Sequence, residues 1–328
     1  MSSQLRSVLG GAVRFDSAVS PLLFSRSDKL RRKSGRLFGH LEWQALDGLT
    51  INLGGNAELV SDADNFGSAR LGFNYQIDNG ASWRFTANHG ERIGTLLEAN
   101  QEVILRYSDE LILDGAITSP ESLEPEKLSA YEVGYSNSWW AQQVQLDARA
   151  FYEDYTGLIG SRRESFPFEL DDRQSIGVRR NNTNLLLKGY ELELGLRLGR
   201  RWLAALTVTD FELSGYVHKH LFPEEYFQPQ YNRAPSLSRS GLISYQTTNG
   251  WLFSASAAYQ SAMKWTDGNQ VESHIRADLK AAKSWQLNGG GALKLALTAQ
   301  NIGQDYAEFY LTNQFQTRYV LSLELLRP

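Results

Sequence analysis

The 328-residue chain contains no cysteine. A disulfide scaffold and a thiolate metal site are therefore excluded, and the composition suits passage through an oxidising periplasm. Long apolar runs are missing as well. Nowhere do about 18 apolar residues follow one another, which excludes a transmembrane helix. The membrane itself is not excluded, because an alternating strand never shows such a run. Charge of one sign is not in excess. The formal net charge is −4, so nucleic acid is not an implied partner. No secretory leader is evident: Val8 to Val13 is short, holds two glycines and runs into Arg14, whereas such a leader needs roughly 7–15 apolar residues. The expectation is a mature piece or a truncated gene product. Catalytic signatures are scarce too. The five histidines stand apart at 40, 89, 218, 220 and 274, and no G-x-S-x-G is present. A non-enzymatic role is expected, and nothing calls for a cofactor or a bound metal.

What the chain does have is rhythm. Tyr190, Leu192, Leu194, Leu196 and Leu198 alternate with Glu191, Glu193, Gly195, Arg197 and Gly199. Successive strand side chains point to opposite faces, so this strand has one apolar wall and one wet wall. Aromatic residues make up 12%, with eight Trp and fifteen Tyr, types that favour membrane–water interfaces.

Alternation and turn chemistry predict about fourteen strands. They fall near 8–16, 36–45, 49–59, 67–77, 81–90, 129–139, 143–155, 187–198, 202–213, 237–247, 251–262, 271–285, 291–301 and 315–327. Tight turns are expected at Asp47-Gly48, Asp78-Asn79-Gly80, Trp140-Ala141, Gly199-Arg200-Arg201, Thr248-Asn249-Gly250 and Gly289 to Gly291. Longer connections are expected between them, among them 91–128, 156–186 and 214–236. Every second connection is thus short and the others are longer. That sorting is the pattern of an antiparallel transmembrane β-barrel, with short periplasmic turns and long extracellular loops. The alternative is a soluble β-sandwich or propeller; a sandwich has no reason to sort its connections by length to one end, and no 40–50-residue repeat recurs, which weakens the propeller.

Several stretches resemble the C-terminal barrel of TonB-dependent outer-membrane receptors. Leu123-Glu124-Pro125-Glu126-Lys127 followed by Tyr131-Glu132-Val133-Gly134-Tyr135 is similar to that family's L-x-P-E-x…Y-E-x-G-Y passage. Ala150-Phe151-Tyr152 through Ile159 resembles the strand pair after it. Asn184 through Lys188-Gly189-Tyr190-Glu191-Leu192-Glu193 resembles its N-x…G-x-E-L-E strand. Residues 36–56 resemble an earlier hairpin, and Leu297 to Tyr306 a late strand end. The resemblance implies an all-β barrel portion over residues 1–328, partial against the family's barrel of about 22 strands. It also implies an outer-membrane location in a Gram-negative bacterium and uptake of a scarce nutrient, most often a ferric siderophore. Two features depart from the family. Barrel-like sequence begins within the first ten or so residues, leaving no room for the plug domain and energy-coupling segment. The tail, Leu325-Leu326-Arg327-Pro328, is not the usual aromatic ending. The TonB complex would then be engaged only through a plug outside this chain, and energised transport by these residues alone is not expected. A passive pore closed by its own fourteen strands, or a remnant of a decayed receptor, are the alternatives.

Candidate ligand-binding residues lie in the long loops. His218 and His220, with Glu224 and Glu225, admit a metal site or a solvated polar loop, and the second is favoured. Phe222, Tyr226, Phe227 and Tyr231 share that loop; they either grip an aromatic or chelate-bearing ligand or pack on neighbours. Arg162 and Arg163 suit an anionic ferric chelate, lipopolysaccharide phosphates, or Glu164. The basic run Lys29 to Lys33 allows the same readings, with contact to surface lipid favoured. Glu126 and Glu132 read as structural. Trp139, Trp140, Trp202, Trp251 and Trp285 flank tight turns and read as a periplasmic-side girdle.

Overall fold

The computed structural model describes residues 4–77, 80–106, 112–119, 122–165, 175–216, 234–264, 270–287, 290–308 and 312–326. The first strands are β1 (Leu5–Ala18), β2 (Leu30–Leu46), β3 (Leu49–Val60), β4 (Phe66–Ile77) and β5 (Ala81–Arg92), with a one-turn helix α1 (Pro21–Phe24) between β1 and β2. An insertion follows, holding α2 (Leu96–Asn100), β6 (Glu102–Arg106) and β7 (Ile112–Thr118). Then come β8 (Glu126–Trp139), β9 (Val144–Ser165), β10 (Ser175–Leu198), β11 (Trp202–Tyr216), β12 (Leu237–Gln246) and β13 (Trp251–Gln260). The last are β14 (Met263–Lys264), β15 (Gln270–Val271), β16 (His274–Gln286), β17 (Ala292–Gln300), β18 (Tyr306–Ala307), β19 (Gln314–Phe315) and β20 (Arg318–Leu326).

Fourteen of these strands form one antiparallel meander, β1-β2-β3-β4-β5-β8-β9-β10-β11-β12-β13-β16-β17-β20. They coincide one for one with the fourteen expected from alternation. Among the described residues β1 pairs with β2 and β20 with β17, so the path has two ends. The tight turns all lie at one end of the sheet and the longer connections at the other. Gly48 sits in the β2–β3 turn at φ +80°, and a Cβ there would meet the Gln76 carbonyl oxygen at 2.4 Å. Glycine is the residue that suits both constraints.

The registers carry one apolar face across the whole meander. Trp43 pairs with Ile51, Ile51 with Phe73, Phe73 with Phe85 and Phe85 with Val133. Further along, Leu194 pairs with Leu206, and Ala281 pairs with Leu297. Many of these side chains are exposed: Leu37 is 70% and Leu321 71% exposed. A water-soluble sheet buries such a face; this one leaves it bare. On β10 the face is apolar from Tyr190 to Leu198, then turns polar at Lys188, which pairs with Glu212 at 3.0 Å. Eight steps of about 3.4 Å, tilted by about 45°, make a band roughly 20 Å tall, close to what a bilayer core needs.

Tryptophan marks the turn end of that band. Trp43, Trp83, Trp139, Trp202, Trp251 and Trp285 all stand within a few residues of a tight turn and on the apolar face. The Trp83 and Tyr135 rings lie 4.8 Å apart, and those of Trp202 and Tyr245 4.4 Å apart.

Two expectations need correction. Residues 156–186 are not one long connection, since β9 runs on to Ser165 and β10 starts at Ser175. The register slips between Asn181 and Thr183 and again between Thr183 and Leu185. Each slip breaks two-residue alternation, and this part lies beyond the apolar band, so the sequence shows no period. The basic run at 29–33 is divided rather than one surface patch, with Lys29, Arg31 and Lys33 exposed and Arg32 turned inward. It lies largely within β2, where alternate residues face opposite ways: Arg31 is exposed while Leu30 and Arg32 are buried.

Candidate functional site

The opposite face is polar, and its centre is a ladder of charges spanning four strands. Arg84 on β5 donates through Nε to Glu132 on β8 at 3.0 Å. Its two terminal nitrogens reach past β8 to both oxygens of Asp147 on β9, at 2.9 and 2.8 Å. Arg149, also on β9, donates to Glu132 at 3.2 Å and to Glu191 on β10 at 2.7 Å. The reach of Arg84 depends on Gly134, its register partner on β8. A Cβ on Gly134 would stand 2.5 Å from Arg84 Nε and 2.7 Å from its Cγ. The glycine and the glutamate of the Tyr131-Glu132-Val133-Gly134-Tyr135 motif therefore act together: one clears a channel for the guanidinium and the other receives it. All of these groups keep some solvent exposure, so each pair is worth about 0.2–1 kcal/mol and serves mainly to fix side-chain positions. A cavity of about 300 Å³ opens against this ladder, lined also by Phe151, Glu153 and Phe211.

At the loop end, the insertion between β5 and β8 crosses the polar face. On one side Arg32 of β2 holds it, with Nη1 donating to the Gly94 carbonyl at 2.6 Å while Nε binds Asp62 at 2.8 Å. Arg32 is 7% exposed. The Ser25 hydroxyl, just after α1, donates to the Glu102 carbonyl at 2.7 Å. On the other side β7 pairs parallel with β10 at Gly177 and Val178. Arg179 of β10 donates to Gln101 at 3.1 Å, and Asn181 binds both the amide and the carbonyl of Glu124. Five strands of the meander separate β2 from β10. The insertion is thus a strap tied at two distant points of the wall.

Local sequence explains the strap. Thr95 caps α2 by accepting from Glu98 N, and Glu98 accepts in return from Thr95 N at 2.8 Å, a reciprocal pair that satisfies two end amides. Arg92 joins Glu98 at 3.1 Å to Glu126 at 2.6 Å. Burial pushes the Glu98 carboxyl up, but Arg92 and the Thr95 bonds outweigh it and hold it below the ordinary value. Glu126 also accepts from Ile159 N at 2.7 Å. Between strap and wall lies a cavity of about 520 Å³, lined by Arg14, Arg32, Arg92, Asp16, Glu58 and Glu91 among others.

His218, His220, Phe222, Tyr226, Phe227 and Tyr231, with Glu224 and Glu225, lie outside the described residues. Arg162 and Arg163 lie in β9 rather than in a loop, paired in register with Val178 and Gly177. Glu164, their expected neighbour in charge, meets Arg180 at 2.6 Å. Glu126 and Glu132 hold the strap and the ladder, in keeping with structural roles. The groups that the sequence did not single out are Arg84, Asp147 and Arg149; Arg32 was noted only as part of a basic run, not as an inward anchor. Their signal was available as charged residues at alternating positions inside apolar-patterned strands.

The profile described as TonB dependent receptor-like, beta-barrel, matches residues 4–302. No curated protein matches the sequence. Among solved structures, the siderophore receptor PirA from Pseudomonas aeruginosa superposes with a TM-score of 0.69 at 12% identity, covering 100% of this chain and 55% of that one. The FrpB iron transporter from Neisseria meningitidis gives 0.66 at 12% identity, covering 93% and 49%. The copper transporter OprC gives 0.64 at 12% identity, covering 94% and 50%. The chain spans about half the length of these structures. At such identity the likeness is one of fold, and it agrees with the strand count, the sorted connections and the two-faced wall. By the match over nearly its whole length, the chain belongs to the TonB-dependent receptor-like β-barrel family.

Proposed function

We propose that residues 1–328 form the barrel portion of an outer-membrane uptake receptor, with the longer connections facing outward from the cell. Its cargo is a scarce metal nutrient, a ferric siderophore being the favoured class. The TonB complex would act through a plug domain that these residues do not supply. The role is binding and transport rather than catalysis.

The observation that carries this reading is the strap anchored to β2 and β10 above a charged cavity on the polar face. A receptor needs a wall that is apolar towards lipid, polar within, and roofed where the ligand arrives. The folds of two similar structures named for siderophore and iron uptake point the same way, and a third named for copper leaves the cargo to be measured. A self-closed pore would require β1 to pair with β20, and neither does so among the described residues.

The test is disruption of the gene in its host, followed by uptake of radiolabelled iron and copper, presented as chelates, under metal limitation. Loss of one uptake activity that a protonophore also abolishes is expected. Unchanged uptake with every chelate would overturn the reading. Cells expressing these 328 residues alone should show no energised uptake. Single cysteines on β1 and β20 of the cysteine-free chain should not crosslink.

A further inference from the structure

We propose that the apolar face carries a specific site for one glycerophospholipid of the leaflet at the turn end. The proposal rests on the membrane reading above. From Trp202 of β11 and Ile243 and Tyr245 of β12 across β13, β16 and β17, the face hollows into a groove of about 540 Å³. Its floor is alanine: Ala255, Ala281 and Ala299. Its walls are larger, with Phe253 paired to Ala281, Ala281 to Leu297, and Leu279 to both Ala255 and Ala299. The alternation of large and small residues across neighbouring strands makes a slot that suits a flexible acyl chain.

What stands at the turn end of the slot selects the occupant. Two residues on from Ala281, on the same face, is Lys283, paired in register with Trp251 and Leu295. Its ammonium lies 5.5 Å from the Trp251 ring centre and 6.0 Å from that of Trp285, and it donates to the Asn249 carbonyl. A cation on a lipid-facing wall belongs at headgroup depth, where its long stem lies on apolar surface and its head meets phosphate. An ammonium has three donors, and the Asn249 carbonyl takes one. Tail slot and headgroup cation lie two residues, about 7 Å, apart along β16, so one lipid molecule can reach both.

The experiment assembles the full chain in vesicles of phosphatidylethanolamine and phosphatidylglycerol and confirms insertion by flotation. Bound lipid is then counted by native mass spectrometry after detergent extraction. One retained phospholipid is expected on the wild-type chain. Lys283→Gln and Ala281→Leu should each lower its occupancy at least fivefold, and Lys283→Arg should restore it. Ala281→Leu leaves the bond from Lys283 to the Asn249 carbonyl in the β12–β13 turn in place, so it tests the groove even where Lys283→Gln fails to assemble. A chain that floats but keeps no phospholipid, or keeps it equally in Ala281→Leu, overturns this proposal alone. A dimer that Ala281→Leu dissolves assigns the groove to a second copy and also overturns it. A chain that does not float removes the membrane reading as well.

Discussion

The channel that Gly134 leaves for Arg84 makes a sharp prediction about coupling. Adding a Cβ at 134 places it 2.5 Å from Arg84 Nε and 2.8 Å from Cζ, so the guanidinium must leave. It then abandons one bond to Glu132 and two to Asp147. Two part-exposed ion pairs are lost, together about 1–2 kcal/mol at most. Alanine returns roughly 0.5–1 kcal/mol over glycine in a strand, because the unfolded chain has less freedom to lose. Gly134→Ala alone should therefore cost up to about 1 kcal/mol. In an Arg84→Ala background the clash is gone, and the same change should stabilise by about 0.5 kcal/mol. The coupling, on the order of 1 kcal/mol, is the quantity to measure. Urea titrations of the vesicle-assembled chain, followed by tryptophan fluorescence, give all four corners of the cycle. If Gly134→Ala costs the same with and without Arg84, then the glycine is not there to let the arginine pass, and the ladder argument fails.

Other consequences are open to measurement. A Cβ on Gly189 would lie 2.4 Å from the Asp210 carbonyl oxygen and 2.7 Å from Phe211 Cβ. Those atoms belong to paired strands and cannot swing aside, so Gly189→Ala should cost about 1–3 kcal/mol in the same titration, more than Gly134→Ala. Asn181→Ala removes bonds to Glu124 N, Glu124 O and the Gly157 carbonyl. It should raise hydrogen exchange in 122–128 while leaving the strands near the turn end protected; equal exchange would refute the clamp. The Glu98 carboxyl is held below its ordinary value of 4.5. A depressed acid contributes stability that is present above the unfolded value and lost as pH falls through the folded one. The strap should thus loosen below about pH 4.5, read as proteolysis within 93–101 that Glu98→Gln makes insensitive to pH.

The wall was legible in the sequence because a face that must meet lipid is written at every second residue. Tyr190 to Leu198 and the register partners Leu71, Ala87 and Tyr131 all obey that rule. Where lipid no longer constrains the strand, the rule lapses, and the loop-end halves of β9 and β10 look like loop in the sequence. The bulges at Asn181–Leu185 removed what alternation remained. The strap was invisible for another reason: β6 is five residues and β7 seven, too short for a period to declare itself. The inward turn of Arg32 is hidden in the sequence because a run of charges suggests a surface, although a strand sends neighbouring charges to opposite sides. The histidines and aromatics at 218–231 stand out by residue type alone, and they lie outside the described residues.

The meander has a consequence for how such a wall changes over time. Within the meander, among the described residues, each of the fourteen strands bonds to strands adjacent along the path, β10 also taking β7 of the strap, and the path follows the chain. Its energetics are then nearly those of a linear array, a sum over neighbouring pairs. A hairpin can be added or deleted at either end without re-pairing the rest, and a loop can lengthen without disturbing the registers beneath it. The strap is the exception. By tying β2 to β10 it makes two remote hairpins answer to each other, and it is there that an inserted or deleted pair of strands would be felt.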